Sequence, residues 1–321
     1  MSYSSVGVDI AKHKFDVALL HEGKYKTKQF PNTPEGFLAF RAWLPPSPWV
    51  CLEATGNYSE ALSLFLVEHQ IPVSVVNPAR IAAFARTELA RAKTDKGDAK
   101  LIARFCHEKR DSLLPFTPPP ANVRALQALV RRLDNLMEMQ QMERNRLDVA
   151  SPIVAPSLHK TLDTLAAQIA EIQQAIRRHI DDDPDLRQRR DLLETIPGIG
   201  HASAAAILGL LGELSRFAQA KQAVAFAGLS PRPRESGMGV GKTRLSKTGD
   251  ALLRKVLYMP ALSAAQHNPV IRAFCQRLKA NGKHGKAVIC AAMRKLLHLA
   301  FGILRSGRPF DPLFANKPLA A

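Results

Sequence analysis

The sequence predicts a chain in three consecutive parts. An α/β domain occupies residues 1–111, a helical coiled-coil insert 112–190, and a mostly α-helical, basic domain 191–321. Three observations predict this. Short apolar or alternating runs open the chain and pass into alternating helix-like and strand-like stretches. A Pro-rich linker, DSLLPFTPPPA at 111–121, precedes two long heptad-like stretches. Positive charge is concentrated beyond residue 191.

Val6–Ile10, Phe15–Leu20 and Tyr25–Phe30 are separated by polar stretches such as His21-Glu22-Gly23-Lys24, which reads as a β-meander. Thr33-Pro34-Glu35 has the form of an N-cap with Pro in the first helical position, opening a helix to about Leu44 that Pro45-Pro46-Ser47-Pro48 ends. Trp49–Glu53 reads as a buried strand, Tyr58–His69 as a helix and Val73–Val76 as a strand. Asn77-Pro78 opens a helical stretch that runs, with a break near Lys93, to about Glu108. The order β-β-β-α-β-α-β-α is that of an RNase H-like fold. Actin-like sugar kinases begin the same way, with an Asp in their first strand, so order alone leaves both open.

In the middle part, Leu126, Leu129, Leu133 and Leu136, and then Leu162, Leu165, Ile169, Ile172 and Ile176, step by three and four. A turn at Ser151-Pro152 to Pro156-Ser157 separates them. The pattern fits an antiparallel helical hairpin or an intermolecular coiled coil, and serves a spacer or a dimer contact equally well. Farther on, Leu192–Gly200 leads into a helix at Ala202–Leu211. Lys221–Ala227, Gly249–Ala265, Asn268–Lys279 and Gly285–Leu304 also read as helices.

Lys and Arg number 45 against 28 Asp and Glu, a formal charge of +17. Residues 1–111 carry net +3, residues 112–191 net zero and residues 192–321 net +14. That distribution implies a polyanion held against the C-terminal third, with nucleic acid as the usual candidate. Cys51, Cys106, Cys275 and Cys290 form no CxxC pair, which argues against zinc and for free thiols in a reducing cytosol. The opening MSYSSVGVDIAKHK has no long apolar run. The expectation is a cytoplasmic chain with no signal peptide and no membrane-spanning stretch.

Four carboxylates stand out. Asp9 ends the first strand and Glu53 the fourth, which neighbour each other in an RNase H-like sheet. Asp95 and Asp98, in KTDKGDAK, share a face if the segment is helical. Taken singly, each has a plainer reading as a turn, pairing or capping residue. Four converging carboxylates, however, repel one another unless cations intervene. Two Mg²⁺ ions about 3.5–4 Å apart would neutralise them and place a phosphodiester for in-line displacement.

Residues 230–249, SPRPRESGMGVGKTRLSKTG, are rich in Gly and cations and suit close approach to phosphates. A nucleotide-binding P-loop is excluded, because Ser236 stands where that motif needs its first Gly. Arg232, Arg234, Lys242, Arg244 and Lys247 are suited to hold a phosphate. Ser236 is a candidate nucleophile that needs activation, with Ser246 as its rival and a simple phosphate-contacting loop as the plainer reading. Thr195-Ile196-Pro197-Gly198-Ile199-Gly200 resembles a helix-hairpin-helix turn. There Gly198 and Gly200 would let backbone N–H groups reach a phosphate; an ordinary helix–helix turn is the alternative.

With these residues in view, the chain resembles the DEDD transposases of bacterial insertion sequences. These join a RuvC-like domain to a C-terminal transposase domain. The resemblance is carried by GVDIAK, EATGNY, KTDKGDA, ETIPGIG, AFAGLSPRPRESG and RLSKTGDALLRKVLYMPAL, spread over nearly the whole chain. It implies that Asp9, Glu53, Asp95 and Asp98 are a metal-binding catalytic tetrad and that Ser236 is the nucleophile. It also implies a structured guide RNA that pairs with donor and target DNA, and a homo-oligomer, dimer or tetramer, with active sites built across subunits. Residue roles between Ser236 and Ser246 beyond Ser236 itself stay open. An aromatic content of 6%, with no zinc finger or basic zipper, fits site choice by base pairing. The competing expectations are a hydrolytic junction nuclease, which needs no serine, a non-enzymatic nucleic-acid scaffold, and direct groove reading by the helix at Gly249–Ala265.

Overall fold

The computed structural model describes residues 4–54, 56–87, 95–236 and 239–313. The chain divides into two compact units, Met1–Pro118 and Pro119–Ala321.

In the first unit, β1 (Ser4–Ile10), β2 (Lys14–His21) and β3 (Lys24–Pro31) form an antiparallel meander. The β2–β3 turn places Glu22 at φ 49° and Gly23 at φ 74°, the two positive values that a type I′ hairpin turn requires. Thr33 starts α1 (Pro34–Trp43): its Oγ1 accepts the Gly36 N–H at 3.3 Å, and Pro34 takes the first turn. β4 (Pro48–Glu53) and, after α2 (Glu60–Glu68), β5 (Val73–Val76) then extend the sheet in parallel, giving the order β3-β2-β1-β4-β5. The helical stretch expected from Asn77 to Glu108 is two helices, α3 (Pro78–Thr87) and α4 (Asp95–Glu108); the expected break at Lys93 lies outside the described residues. This mixed sheet is compatible with an RNase H-like domain.

The period of two sends alternate β1 residues to opposite faces. Val6 and Val8 bury against an aromatic cluster in which Phe15 lies 5.5 Å from Phe30 and 5.4 Å from Phe40. Gly7 faces α4, whose Ala99 and Ala103 pack with Ala18 of β2. Glycine is required there: a Cβ on Gly7 would stand 2.1 Å from the Ala103 nitrogen and 2.4 Å from the Ala99 carbonyl oxygen. The helix backbone thus lies directly on β1.

The second unit begins with α5 (Ala121–Leu147) and α6 (Ala155–Asp181), which pack on one another within the chain as a helical hairpin. Val123, Leu126, Val130, Ile176 and Ile180 at its root share one core with the helices that follow. Toward the tip, Met137, Met139, Met142, Val149 and Ile153 are exposed. The succeeding elements are α7 (Pro184–Glu194), α8 (His201–Leu211), α9 (Ala220–Phe226), α10 (Ala251–Val256), α11 (Tyr258–His267), α12 (Pro269–Ala280) and α13 (Gly285–Ser306). The single helix expected over Gly249–Ala265 is therefore α10 and most of α11, with Leu257 between them. Contrary to expectation, α13 is long and apolar enough to cross a membrane; Val288, Ala292, Leu296, Leu297 and Ala300 instead bury it in the core.

The region expected to be a Gly-rich loop contains a two-stranded antiparallel ribbon, β6 (Pro231–Ser236) and β7 (Gly239–Leu245), within an otherwise helical unit. A two-stranded ribbon need not bury a whole face, so the apolar alternation that marks a strand need not appear in its sequence.

Candidate active site

The β1–β4 register runs in parallel from Ser4↔Pro48 to Val8↔Leu52. One step farther along both strands come Asp9 and Glu53. Across β1 on the other side, Asp9 is registered directly opposite Asp16 of β2, and Asp16 opposite Gln29 of β3. Directly opposed residues share a face, so Gln29, Asp16, Asp9 and Glu53 form one row across four strands spaced about 4.7–4.9 Å apart. Gly7 and Cys51, two residues before Asp9 and Glu53, are also in register. Gly7 meets α4, and Cys51 packs in one core cluster with Cys106 of α4, so the row lies on the α4 face.

α4 runs antiparallel to β1. Near the end of the helix the Cys106 thiol donates to the carbonyl of Trp49, which is registered with Ser5, whereas Gly7 meets Ala99, Ile102 and Ala103 in its middle. One further step along β1 brings Asp9 to the first turn of α4, which carries Asp95 and Asp98. The strand ends that carry Asp9 and Glu53 and the helix start that carries Asp98 thus lie toward the same edge of the sheet. Asp9, Glu53 and Asp98 are half-buried; the Asp95 side chain lies outside the described residues. Among the described residues, no three Asp, Glu, His or Cys side chains close into a group able to hold a metal ion. What stands there is an open row of oxygen donors, the ligand type that hard Mg²⁺ takes, and like charges side by side favour a cation between them.

Two features of this edge were missed at the sequence level. Gly7 lets the helix carrying Asp95 and Asp98 approach β1. Asp16 is only 6% exposed, accepts both Gln29 Nε2 contacts at 3.1 and 3.2 Å, and pairs with Lys14 Nζ at 3.5 Å. A carboxylate in strand β2, on the same alternation as Ala18 and Leu20, was the available signal. The cysteines are free, and the hydrogen bond with Cys106, then burial, pushes the Cys51 thiol pKa up.

The ribbon sets Arg232 opposite Arg244, both exposed, and Arg234 opposite Gly241, with a register irregularity between Arg232 and Arg234. Ser236 is registered with Gly239 at the ribbon's outer end. The side chains of residues 233–243, including Arg234, Ser236 and Lys242, lie outside the described residues. Ser246 sits at the base: its N–H donates to the Ser230 carbonyl at 2.9 Å and its Oγ accepts the Thr248 N–H at 3.2 Å. Lys247 beside it is exposed, at φ 56°.

In the Thr195–Gly200 turn, Gly198 has φ 107° and a Cβ there would stand 2.7 Å from the Ala264 nitrogen, so its glycine has a packing reason. Asn268, fully buried, caps α12 through the N–H groups of Val270 and Ile271 and also donates to the Pro197 carbonyl at 3.4 Å. Gly200 is the N-cap of α8 and faces open space.

A transposase family model, of the DEDD type named for IS110, matches residues 6–150, and one for the IS116/IS110/IS902 transposase family matches residues 190–276. The pilin gene-inverting protein of Moraxella bovis is 33% identical over 97% of this chain and 98% of its own length. The transposase of insertion sequence element IS1328 from Yersinia enterocolitica is 25% identical over 95% of this chain and 98% of its own length. The chain belongs to the IS110-type DEDD transposase family.

It is therefore a transposase or DNA recombinase, an enzyme that acts on DNA. The first family match takes in the sheet, the row of carboxylates and α4, and continues into α5. The second takes in the Pro197–Gly200 turn and the ribbon.

Proposed function

We propose that this DEDD transposase cleaves and exchanges DNA strands in a magnesium-dependent reaction with Ser236 as nucleophile, at sites chosen by a structured RNA. The observation that carries the reading is the register that sets Asp9 beside Glu53 under the first turn of α4, with Asp95 and Asp98. Those four residues would hold the cations, one or two Mg²⁺ ions. When bound, Mg²⁺ would neutralise the carboxylates and withdraw charge from a phosphate oxygen.

The chain's own contribution is then attack and grip. Ser236 Oγ forms a bond to phosphorus as the bond from phosphorus to one strand's ester oxygen breaks. The serine proton leaves to a base, and the departing strand keeps the electron pair and takes up a proton from water, leaving as a hydroxyl end. A strand hydroxyl attacking the phosphoserine reverses this step and seals a new junction. Arg232, Arg234, Lys242, Arg244 and Lys247 would hold the phosphate, with the N–H groups at Gly198 and Gly200 as a further backbone contact. The Ser246 hydroxyl is already engaged by Thr248, which favours Ser236. The exposed apolar tip of the α5–α6 hairpin supports assembly into an oligomer.

The test is a denaturing gel with labelled DNA, run with Mg²⁺ and with chelator. Wild type should give a covalent protein–DNA adduct, Ser236→Ala should bind DNA without forming it, and Asp98→Asn should neither cleave nor form it. Undiminished cleavage by Ser236→Ala without an adduct would instead mark a hydrolytic nuclease. Accurate joining without the element's RNA would reject RNA guidance.

A further inference from the structure

We infer that Asp16, fixed beside Asp9 by Gln29 and Lys14, is a positioning residue that extends the carboxylate row and strengthens cation capture by Asp9 and Glu53. The inference rests on the metal-dependent reading above and deepens it, by adding a residue that no motif of the family resemblance singled out.

Asp16 lies directly opposite Asp9 in the β1–β2 register and on the same face of the sheet. Opposed side chains on adjacent strands have Cβ atoms about 4.5–5.5 Å apart, and like charges so placed destabilise a sheet. Asp16 is also 6% exposed, so water does little to relieve that repulsion. Two polar side chains hold it. Gln29 on β3 donates to both oxygens, and Lys14, at the start of β2, lies 3.5 Å from Oδ2. These contacts fix the carboxylate in its place opposite Asp9, with Lys14 offsetting part of its charge.

A purely structural residue is easy to imagine here. Two and four residues on along the same face, Ala18 and Leu20 pack against α4 with no polar side chain to satisfy. An apolar residue at position 16 would need neither Gln29 nor Lys14. A divalent cation held by Asp9 and Glu53 would be attracted by this further carboxylate. Residues that fix the charge around a metal ligand in this way typically change metal affinity about 10–100-fold when altered.

The test uses the full chain without DNA. Mg²⁺ binding is measured by titration calorimetry for wild type, Asp9→Asn, Asp16→Asn and Gln29→Met, with thermal melts to establish folding. Asp16→Asn should bind Mg²⁺ about tenfold more weakly. Its cleavage of DNA should shift to higher Mg²⁺ and recover when Mg²⁺ is raised. Gln29→Met keeps the charge but releases it, and should lose less affinity; it also serves if Asp16→Asn does not fold. A lowered melting temperature with unchanged Mg²⁺ affinity in both variants would make Asp16 a structural residue and overturn the inference. If wild type binds no Mg²⁺, or Asp9→Asn binds it as wild type does, the tetrad reading itself fails. Loss of binding in Asp9→Asn with none in Asp16→Asn leaves the tetrad standing and removes Asp16.

Discussion

Adding one methyl group at Gly7 should separate the two halves of the candidate active site. In Gly7→Ala the new Cβ would lie 2.1 Å from the Ala103 nitrogen, 2.4 Å from the Ala99 oxygen and 2.7 Å from the Ile102 carbonyl carbon. All three are backbone atoms of α4, so no side chain can swing aside. Restoring a normal contact of about 3.5 Å requires the helix to retreat by about 1 Å or more. Overpacking of this kind costs about 1–3 kcal/mol, and a backbone clash belongs at the upper end. For a unit of this size, about 3 kcal/mol is roughly 10 °C of melting temperature. The functional effect should be larger, because α4 carries Asp95 and Asp98 while β1 carries Asp9. Misplacing reacting groups by about 1 Å can cost about 100-fold in rate. Thermal melts, Mg²⁺ titration and a strand-cleavage assay on the same preparation separate the two effects. At a temperature where the variant is fully folded, cleavage should still be about 100-fold slower and Mg²⁺ affinity reduced. A Gly7→Ala protein that melts, binds Mg²⁺ and cleaves as wild type does would refute the argument that α4 is held against β1 to assemble the site.

Two other perturbations follow from the geometry. Asp183 caps α7 and accepts the Leu186 N–H at 3.0 Å and the Asn122 amide at 2.5 Å; these two, in that order, hold its carboxyl below the usual carboxylate range. A depressed folded pKa contributes stability that is present above the unfolded value of about 3.9 and is lost as pH falls through the folded one. Asp183→Asn should therefore melt below wild type at neutral pH, with the gap closing in acid; a gap that is the same at both ends contradicts this origin. In the ribbon, Arg232 and Arg244 face each other, an arrangement of like charges that suits a polyanion better than the free strand pair. Replacing both by Ala should lower the slope of log affinity against log salt on duplex DNA by about 1.8, or about 0.9 for each phosphate no longer neutralised. An unchanged slope would show that neither Arg meets a phosphate.

The legible parts of the fold are those with local causes. Thr33-Pro34 fixes the start of α1, the apolar alternation marks β1 and β2, and the heptad residues mark the two long helices α5 and α6, though not that they pair within the chain. Gly7 and Asp16 were silent because their meaning lies in register: one is defined by the helix above it, the other by the strand beside it. Neither register can be read from the residues flanking these positions. The ribbon was silent for another reason. Pro231 and Pro233 in one strand and Gly239 and Gly241 in the other argue against a sheet interior. In a two-stranded ribbon every strand is an edge, so that objection has no force. Asp9 and Glu53 stood out because they end predicted strands, and Asp95 and Asp98 because they fall three apart in a helical stretch.

Charge and topology together suggest why the two units differ. Residues 1–111 are nearly neutral, at net +3, and the edge where Asp9, Asp16 and Glu53 line up is locally acidic. Without a cation such an edge repels a phosphate backbone; with one, on the proposed reading, it attracts. Residues 192–321 carry net +14 and attract the backbone under either condition. On that reading, affinity and chemistry fall under separate control: the basic unit would hold DNA without metal, and the carboxylate edge would accept a strand only once its charge is neutralised. At Asp16 itself, Gln29 and Lys14 hold the carboxylate in place opposite Asp9 whether or not a cation is bound.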